Sequence, residues 1–149
     1  MKIRILLVDD EASFVEQLAE RLKLRDYDVT TCLSGEEAIE KVKKYNFDVV
    51  ILDVAMPGID GTEALRQIKS LKPLIEVIML TGHATVESAI EGMKLGAFDY
   101  LMKPCETDEL IKKINNAHER KDAQEERIRS AKAEKYFTSP RSALKNNDK

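Results

Sequence analysis

The sequence has no tryptophan, only two cysteines and no long apolar run. Cys32 and Cys105 are far apart and fit no zinc or redox spacing, so we interpret both as small apolar residues in a reducing compartment. No apolar run approaches the ~20 residues that span a bilayer. Residues 1–5 enter a strand pattern directly, without the cleavage site of a signal peptide. These absences predict a cytoplasmic protein with no membrane partner.

A strong charge of one sign is also lacking. The net charge is -3, with 15 basic and 21 acidic residues in 1–118 and 9 basic and 6 acidic residues in 119–149. An acidic body with a mildly basic tail gives no electrostatic footprint for nucleic acid, so we predict no direct binding of nucleic acid by this chain. His83 and His118 have no partners at metal-ligand spacing, and we interpret both as surface residues.

Five short apolar segments predict β-strands at residues 3–8, 29–32, 49–52, 77–80 and 98–101. The first, third and fourth are nearly continuous apolar runs, which is typical of strands covered on both faces of a parallel sheet. Apolar stripes at helical spacing follow each strand. The alternation predicts an α/β fold, a doubly wound five-stranded parallel sheet with the flavodoxin-like strand order 2-1-3-4-5.

The predicted helices have recognisable ends. Capping boxes begin the second and third helices, at Ser34 and Asp60 respectively, Pro73 ends the third, and Thr107 is the predicted cap of the fifth. The five stripes are Phe14, Val15, Leu18 and Leu22; Ala38, Ile39 and Val42; Ala64, Leu65, Ile68 and Leu71; Val86, Ala89, Ile90 and Met93; Leu110, Ile111, Ile114 and Ala117.

The chain divides by composition into three parts. Residues 1–118 are predicted to form one domain, residues 119–137 a charged helical extension of the fifth helix, and residues 138–149 a disordered tail rich in Ser, Pro, Asn and Lys. Ile128 is the only large aliphatic residue of 119–135, too few for a predicted coiled coil, although a homodimer through this helix stays open.

Polar residues occur where four of the predicted strands end. Asp9 and Asp10 follow the first strand, Asp53 the third, Thr81 the fourth and Lys103 the fifth. The carboxyl ends of parallel strands meet at one edge, and ligands bind in the crevice where the strand order reverses. We therefore predict that these five side chains gather at that edge.

The predicted gathering has a chemical consequence. Three carboxylates in one pocket repel each other, and Mg²⁺, which prefers carboxylate oxygens and often bridges them to phosphate, would resolve the conflict. Lys103 adds a positive charge and Thr81 a hydroxyl donor. The set predicts phosphoryl transfer onto the carboxylate of Asp53.

Each of these residues also has a purely structural interpretation. Asp9 or Asp10 would cap the first helix, Asp53 would begin a turn, Lys103 would be a solvated residue at a strand exit, and Thr81 would begin an ordinary loop. The occurrence of all five at one edge favours the functional interpretation.

Four segments carry a family resemblance: LLVDDE at 6–11, DVAMPGIDG at 53–61, LTG at 80–82 and GAFDYLMKP at 96–104. Over about residues 2–118 the chain resembles the receiver domain family of two-component response regulators. The resemblance implies that a histidine kinase or phosphotransfer protein phosphorylates the chain, which would not be a turnover enzyme. It also implies a downstream effector protein or a fused output domain.

The resemblance assigns roles to individual residues. It implies that Asp53 is the phosphoacceptor, that Asp10 and Asp53 bind Mg²⁺ through their side chains and Ala55 through its carbonyl oxygen, and that Asp9 binds it directly or through water. Lys103 would contact the phosphoryl group.

The resemblance also implies a switch. Thr81 and Tyr100 would form the switch pair, and the face made by the fourth helix, fifth strand and fifth helix would be the output surface, where a homodimer stays open. The Lys103–Pro104 peptide bond is cis in such proteins. Only a population shift is required, not a new fold.

Two positions near the predicted site bear on the rate at which the phosphoryl group would be lost. Ala55 stands two residues after Asp53, where family members often carry a polar side chain, and His83 stands two residues after Thr81. Ala55 offers no group to orient an attacking water, so we predict slow intrinsic dephosphorylation, which His83 would offset.

Other readings of the pocket residues are less consistent with the sequence. A haloacid-dehalogenase-type phosphatase needs a second Asp where Ala55 stands, and Asp9, Asp10 and Glu11 would repel the phosphate of a flavin in a flavodoxin. The alternative that stays open is a receiver-like adaptor for protein interaction that is not phosphorylated.

Overall fold

The computed structural model describes residues 1–138 apart from residues 57, 59 and 83–85. Its elements alternate as β1 (Arg4–Val8), α1 (Ala12–Leu24), β2 (Asp28–Cys32), α2 (Gly35–Lys44), β3 (Val49–Leu52), α3 (Gly61–Leu71), β4 (Glu76–Thr81), α4 (Val86–Lys94), β5 (Asp99–Met102) and α5 (Thr107–Thr138). All the strands pair in parallel in the order β2-β1-β3-β4-β5, which confirms the predicted topology. None of the helices in these residues combines the length and apolarity that a membrane span needs.

The sheet separates two apolar cores. Along β1, Ile5 and Leu7 belong to the core that contains the buried residues of α1 and α5, whereas Leu6 and Val8 belong to the core shared with α2 and α3. All four side chains are at most 1% exposed. Because successive side chains of a strand point to opposite faces, a strand covered on both faces needs a continuous apolar run.

The capping predictions are confirmed for two helices. Ser34 Oγ accepts a hydrogen bond from the backbone N of Glu37, and Asp60 Oδ1 accepts one from the backbone N of Glu63. α5 begins at Thr107 itself, and the carbonyl of Glu106 accepts the first helical hydrogen bond. Thr107 is therefore the first residue of the helix and not the cap before it. The predicted tail, 138–149, lies outside the described residues except for the last residue of α5.

The apolar stripe predicted for α4 does not face the core. Val86, Ile90 and Met93 are 77%, 50% and 47% exposed, while the buried residue of the helix is Gly92. A Cβ atom at Gly92 would overlap the methyl group of Met79 in β4. The helix thus approaches the sheet through a glycine, which turns its larger apolar side chains toward solvent.

Ion pairs to two buried carboxylates fasten α5 to the amino end of the sheet. Both carboxylate oxygens of Glu76, the first residue of β4, accept hydrogen bonds from the guanidinium of Arg120. Lys121 Nζ lies 3.2 Å from Asp48 Oδ1, just before β3. The side chains of Glu76 and Asp48 are only 3% and 8% exposed. We call these four residues the amino-edge clamp; it joins the body to the segment beyond residue 118.

Candidate functional site

The sheet itself fixes the backbone at the predicted site. The backbone N of Asp53, directly after β3, donates to the carbonyl oxygen of Val8 in β1 over 3.0 Å. The backbone N of Lys103, directly after β5, donates to the carbonyl oxygen of Thr81 in β4 over 2.9 Å. These bonds continue the parallel ladders past the strand ends, so the side chains that follow are held at one edge.

The three predicted acids meet at that edge. Asp9, Asp10 and Asp53 each offer a carboxylate oxygen, and these oxygens lie within 4.8 Å of one another. Asp9 is 1% exposed and Asp53 3% exposed, whereas Asp10 is exposed. Two acids from the end of β1 and one from the end of β3 therefore face a common volume that remains open on the side of Asp10.

Lys103 contacts the acids from β5. Its Nζ lies 2.5 Å from Asp9 Oδ2, 2.9 Å from Glu11 Oε1 and 3.8 Å from Asp53 Oδ2. The ring centroid of Phe14 lies 4.1 Å from the same nitrogen. With its side chain 13% exposed, Lys103 is a partly buried member of the cluster and not a solvated residue at a strand exit. The Lys103–Pro104 peptide bond is cis.

Two of these contacts were missed from the sequence. Glu11 was noticed only in the LLVDDE segment and among the acids that would repel a flavin phosphate, and Phe14 only as a member of the apolar stripe of α1. Glu11 is the residue before the first turn of α1, which means that neither Asp9 nor Asp10 caps that helix. A charged residue directly after an acid pair was the available signal for Glu11; the contact of Phe14 depends on where α1 crosses the sheet.

Each buried acid uses one oxygen for its own turn. Asp9 Oδ1 accepts a hydrogen bond from the backbone N of Glu11, and Asp53 Oδ1 accepts one from the backbone N of Ala55, both over 3.0 Å. Asp53 is thus a turn residue, as its structural interpretation stated. That role occupies Oδ1 and leaves Oδ2 of both acids facing Lys103.

The electrostatics of the cluster favour an additional cation. Burial raises the pKa of Asp9, and the nearby charge of Asp53 raises it further, although the hydrogen bonds from Lys103 and from the backbone of Glu11 oppose this. Burial lowers the pKa of Lys103, but its hydrogen bonds to the two acids outweigh burial, and the net pKa is raised. Three carboxylates beside one ammonium carry a formal charge of -2. A divalent oxygen-seeking ion fits this donor set.

The predicted switch pair lies on the two strands beside the cluster. Thr81 ends β4 with no exposed surface, and Tyr100 lies in the neighbouring strand β5. The Tyr100 hydroxyl is 3.2 Å from Ser88 Oγ in α4. Tyr100 is partly buried against the core between the sheet and α3. Tyr100 therefore lies at the junction of α4 and β5.

The remaining predicted positions are placed as follows. Ala55, two residues after Asp53, is exposed, and its backbone N donates a hydrogen bond to Asp53 Oδ1. His83 lies outside the described residues. His118 lies on α5, far along the chain from the acids, where its Nε2 is 3.5 Å from Asp122 Oδ2. Within the described part of the chain, His118 therefore has a local helical partner and no role at the cluster.

Comparison with known proteins agrees with this arrangement. A family model described as response regulator receiver domain matches residues 5–115. The transcriptional regulatory protein ZraR of Escherichia coli K12 is 41% identical over 115 residues, which are 77% of this chain and 26% of ZraR. This chain thus spans about a quarter of the length of that relative.

Solved structures share the same fold. A CheY-like receiver domain protein from Methanospirillum hungatei JF-1 superposes with a TM-score of 0.81 at 28% identity, covering 83% of this chain and 99% of that protein. A receiver domain protein from Clostridium thermocellum superposes with a TM-score of 0.78 at 38% identity, covering 82% and 98%. Because the family model matches most of this chain, the chain belongs to the receiver domain family of two-component response regulators.

Proposed function

We propose that this domain takes a phosphoryl group from a histidine kinase or phosphotransfer protein onto Asp53, with Mg²⁺ as cofactor. The observation that carries the proposal is the crowding of Asp53 with Asp9 and Asp10, beside the ammonium of Lys103. A carboxylate in this place can act as the nucleophile, and its neighbours contribute mainly by neutralising the charge of the phosphoryl group.

The proposed reaction is an in-line displacement at phosphorus. A carboxylate oxygen of Asp53 forms the new bond to phosphorus while the bond to the donor's nitrogen breaks and its electron pair leaves with that nitrogen. Asp10 and Asp53 would hold Mg²⁺ through their side chains, Ala55 through its carbonyl oxygen, and Asp9 directly or through water. When bound, the ion neutralises charge on the transferred group.

Lys103 neutralises the phosphoryl group from the other side. Its ammonium is charged, since its pKa is raised, and it already lies 3.8 Å from Asp53 Oδ2. A phosphoryl group on Asp53 brings acceptor oxygens nearer to this ammonium, and charge-assisted hydrogen bonds of this kind are stronger than neutral ones. One group per chain is transferred, so the domain is not a turnover enzyme.

The proposed output follows from the same chemistry. A phosphoryl oxygen attracts the hydroxyl of Thr81, and the space that Thr81 leaves admits the ring of Tyr100, which then gives up its contact with Ser88. The face of α4, β5 and α5 would carry the signal, since it presents exposed apolar side chains; these are Val86, Ile90, Met93 and Met102. Its partner would be an effector protein, a fused output domain or a second copy of the chain. The cytoplasmic location of this chain and the absence of direct nucleic acid binding remain predictions.

The test is incubation of the full chain with acetyl phosphate and Mg²⁺, followed by intact mass and peptide mapping. We expect one phosphoryl group on Asp53 in wild type, none in Asp53→Asn, and none after chelation of the metal. Asp60→Asn is the matched control. Asp60 is also an acid in the segment after β3, but it serves as the cap of α3. A wild-type chain that gains no phosphoryl group would be the non-phosphorylated adaptor instead.

A further inference from the structure

An aromatic ring faces the ammonium of the lysine at the site. The ring centroid of Phe14 lies 4.1 Å from Lys103 Nζ, on a side chain that is only 13% exposed. Phe14 occupies the first turn of α1 and is partly buried against the core that α1 shares with α5. The ammonium therefore has a π face as well as the carboxylates of Asp9 and Glu11 as neighbours.

The two kinds of neighbour act differently on the lysine. The carboxylates of Asp9 and Glu11 compete with Asp53 for the ammonium, and both lie nearer to it. The face of a ring attracts a cation without offering a hydrogen-bond acceptor, so it does not bind the ammonium in one direction. This attraction persists while the ammonium changes its oxygen partners.

We infer that Phe14 is a positioning residue for Lys103, which keeps the ammonium at the strand edge as its contacts pass from the carboxylates to the phosphoryl group on Asp53. The inference rests on the proposed function. It concerns the ring itself and not merely its bulk. Phe14 also lines a cavity of about 120 Å³ with Leu18, Pro104 and Leu110, and a leucine at position 14 would keep an apolar side chain beside that cavity.

The experiment separates the ring from the bulk. Phe14→Tyr keeps the aromatic face, and Phe14→Leu removes it while preserving an apolar side chain. Initial rates of phosphorylation by acetyl phosphate are measured at saturating Mg²⁺ in the full chain. We expect Phe14→Leu to lower the rate about three- to tenfold, and Phe14→Tyr to stay within about twofold of wild type.

A matched control uses the other ring under a cation on the same side of the sheet. The Phe98 ring centroid lies 4.8 Å from the guanidinium carbon of Arg120, at the opposite end of β5. Phe98→Leu removes a cation–π contact of the same type outside the site, and we expect no change in the phosphorylation rate.

A second readout does not depend on the reaction. The protons on the Cε of Lys103, which is bonded to the nitrogen over the ring, are expected to show an upfield NMR shift that Phe14→Tyr keeps and Phe14→Leu loses. An unshifted resonance in wild type overturns the inference even where the leucine variant fails to fold. Equal rates for wild type and Phe14→Leu, or equal losses in the Leu and Tyr variants, overturn it as well. If wild type takes no phosphoryl group at all, the proposed function fails and the inference fails with it.

Discussion

Lys103 Nζ lies 2.5 Å from Asp9 Oδ2 and 3.8 Å from Asp53 Oδ2, so the lysine is held by an acid other than the proposed acceptor. When a phosphoryl group on Asp53 binds the ammonium, we expect the contact between Lys103 and Asp9 to lengthen. Asp9 in turn needs another positive charge when that contact lengthens, because its carboxylate is buried. A bound metal ion would supply that charge and would complement the lysine as a partner of Asp9.

Binding of Mg²⁺ is expected to stabilise the folded chain. At a free concentration one hundred times Kd, a ligand that binds only the folded state adds ~2.7 kcal/mol to the free energy of unfolding. Asp10→Asn should remove most of this increment, since it takes one carboxylate from the cluster. Urea unfolding with and without Mg²⁺ measures the increment. Asp26→Asn is the control: its side chain is 82% exposed, and Asn tolerates its positive φ of 71°.

The pKa of Asp9 predicts a pH dependence in metal-free solution. Burial raises this pKa above its ordinary value of 3.8, so the folded state binds the proton more tightly than the unfolded state does. The free energy of unfolding therefore receives a contribution that falls as the pH rises from about 4 through the raised pKa. Asp9→Asn should remove that part of the slope in urea unfolding with a chelator present. An identical pH profile in wild type and variant would contradict the assignment.

The amino-edge clamp is expected to hold the start of the helical extension. Glu76 is 2% exposed, and Glu76→Gln leaves Arg120 without its carboxylate partner. We expect the free energy of unfolding to fall by about 2 kcal/mol, which is less than the full cost of breaking a buried pair because Arg120 is partly exposed. Amide exchange around residues 118–126 should also accelerate. Glu126→Gln, which breaks a solvent-exposed pair with Arg129, should leave the free energy of unfolding nearly unchanged.

Gly61 is expected to tolerate no side chain. A Cβ atom there would overlap the carbonyl oxygen of Asp53 and the Cα of Val54. Gly61→Ala must therefore displace the backbone that carries the proposed acceptor. We expect the free energy of unfolding, measured in urea, to fall by about 1–3 kcal/mol, and phosphorylation to become slower. Gly82→Ala has open space around the added atom, and it should change the stability by less than about 0.5 kcal/mol.

Ala55 predicts a long-lived phosphoryl group. Its exposed methyl side chain, next to the proposed acceptor, cannot orient a water molecule for attack. We expect Ala55→Asn to shorten the lifetime of phosphorylated Asp53. The lifetime is measured by intact mass, as the loss of the phosphoryl group over time after the donor is removed. Ala55→Val adds bulk without a polar group and should not shorten the lifetime. An unchanged lifetime in the Asn variant would rule out this role for the position.

The parts of the fold that follow from local pattern were predictable. The continuous apolar runs of β1 and β3 predicted a sheet covered on both faces, and the alternation with helices predicted the α/β class; the strand order was expected by analogy with flavodoxin-like folds and is confirmed. The meeting of Asp9 and Asp53 also followed, because parallel strands end at a common edge. What these inferences share is that each depends on backbone topology and not on the rotation of a helix about its axis.

The features that depend on such rotation were missed. Met93 fitted an apolar stripe, yet Gly92 faces the sheet, since only a glycine lets α4 approach Met79 closely. Phe14 was interpreted as core because a stripe cannot show which of its members lies at the strand edge. Likewise, Glu76 and Arg120 are 44 positions apart, and their pairing depends on where α5 crosses the sheet.

The amino-edge clamp has a consequence for communication over the length of the molecule. Glu76 and Thr81 are the first and last residues of β4, so a single strand of six residues, ~20 Å long, connects the proposed phosphorylation edge with the guanidinium of Arg120. The ring beneath that guanidinium, Phe98, directly precedes β5, which contains Tyr100. Two adjacent strands therefore begin at one arginine, and we expect a shift of either strand along its axis to act directly on Arg120, near the start of the helical extension.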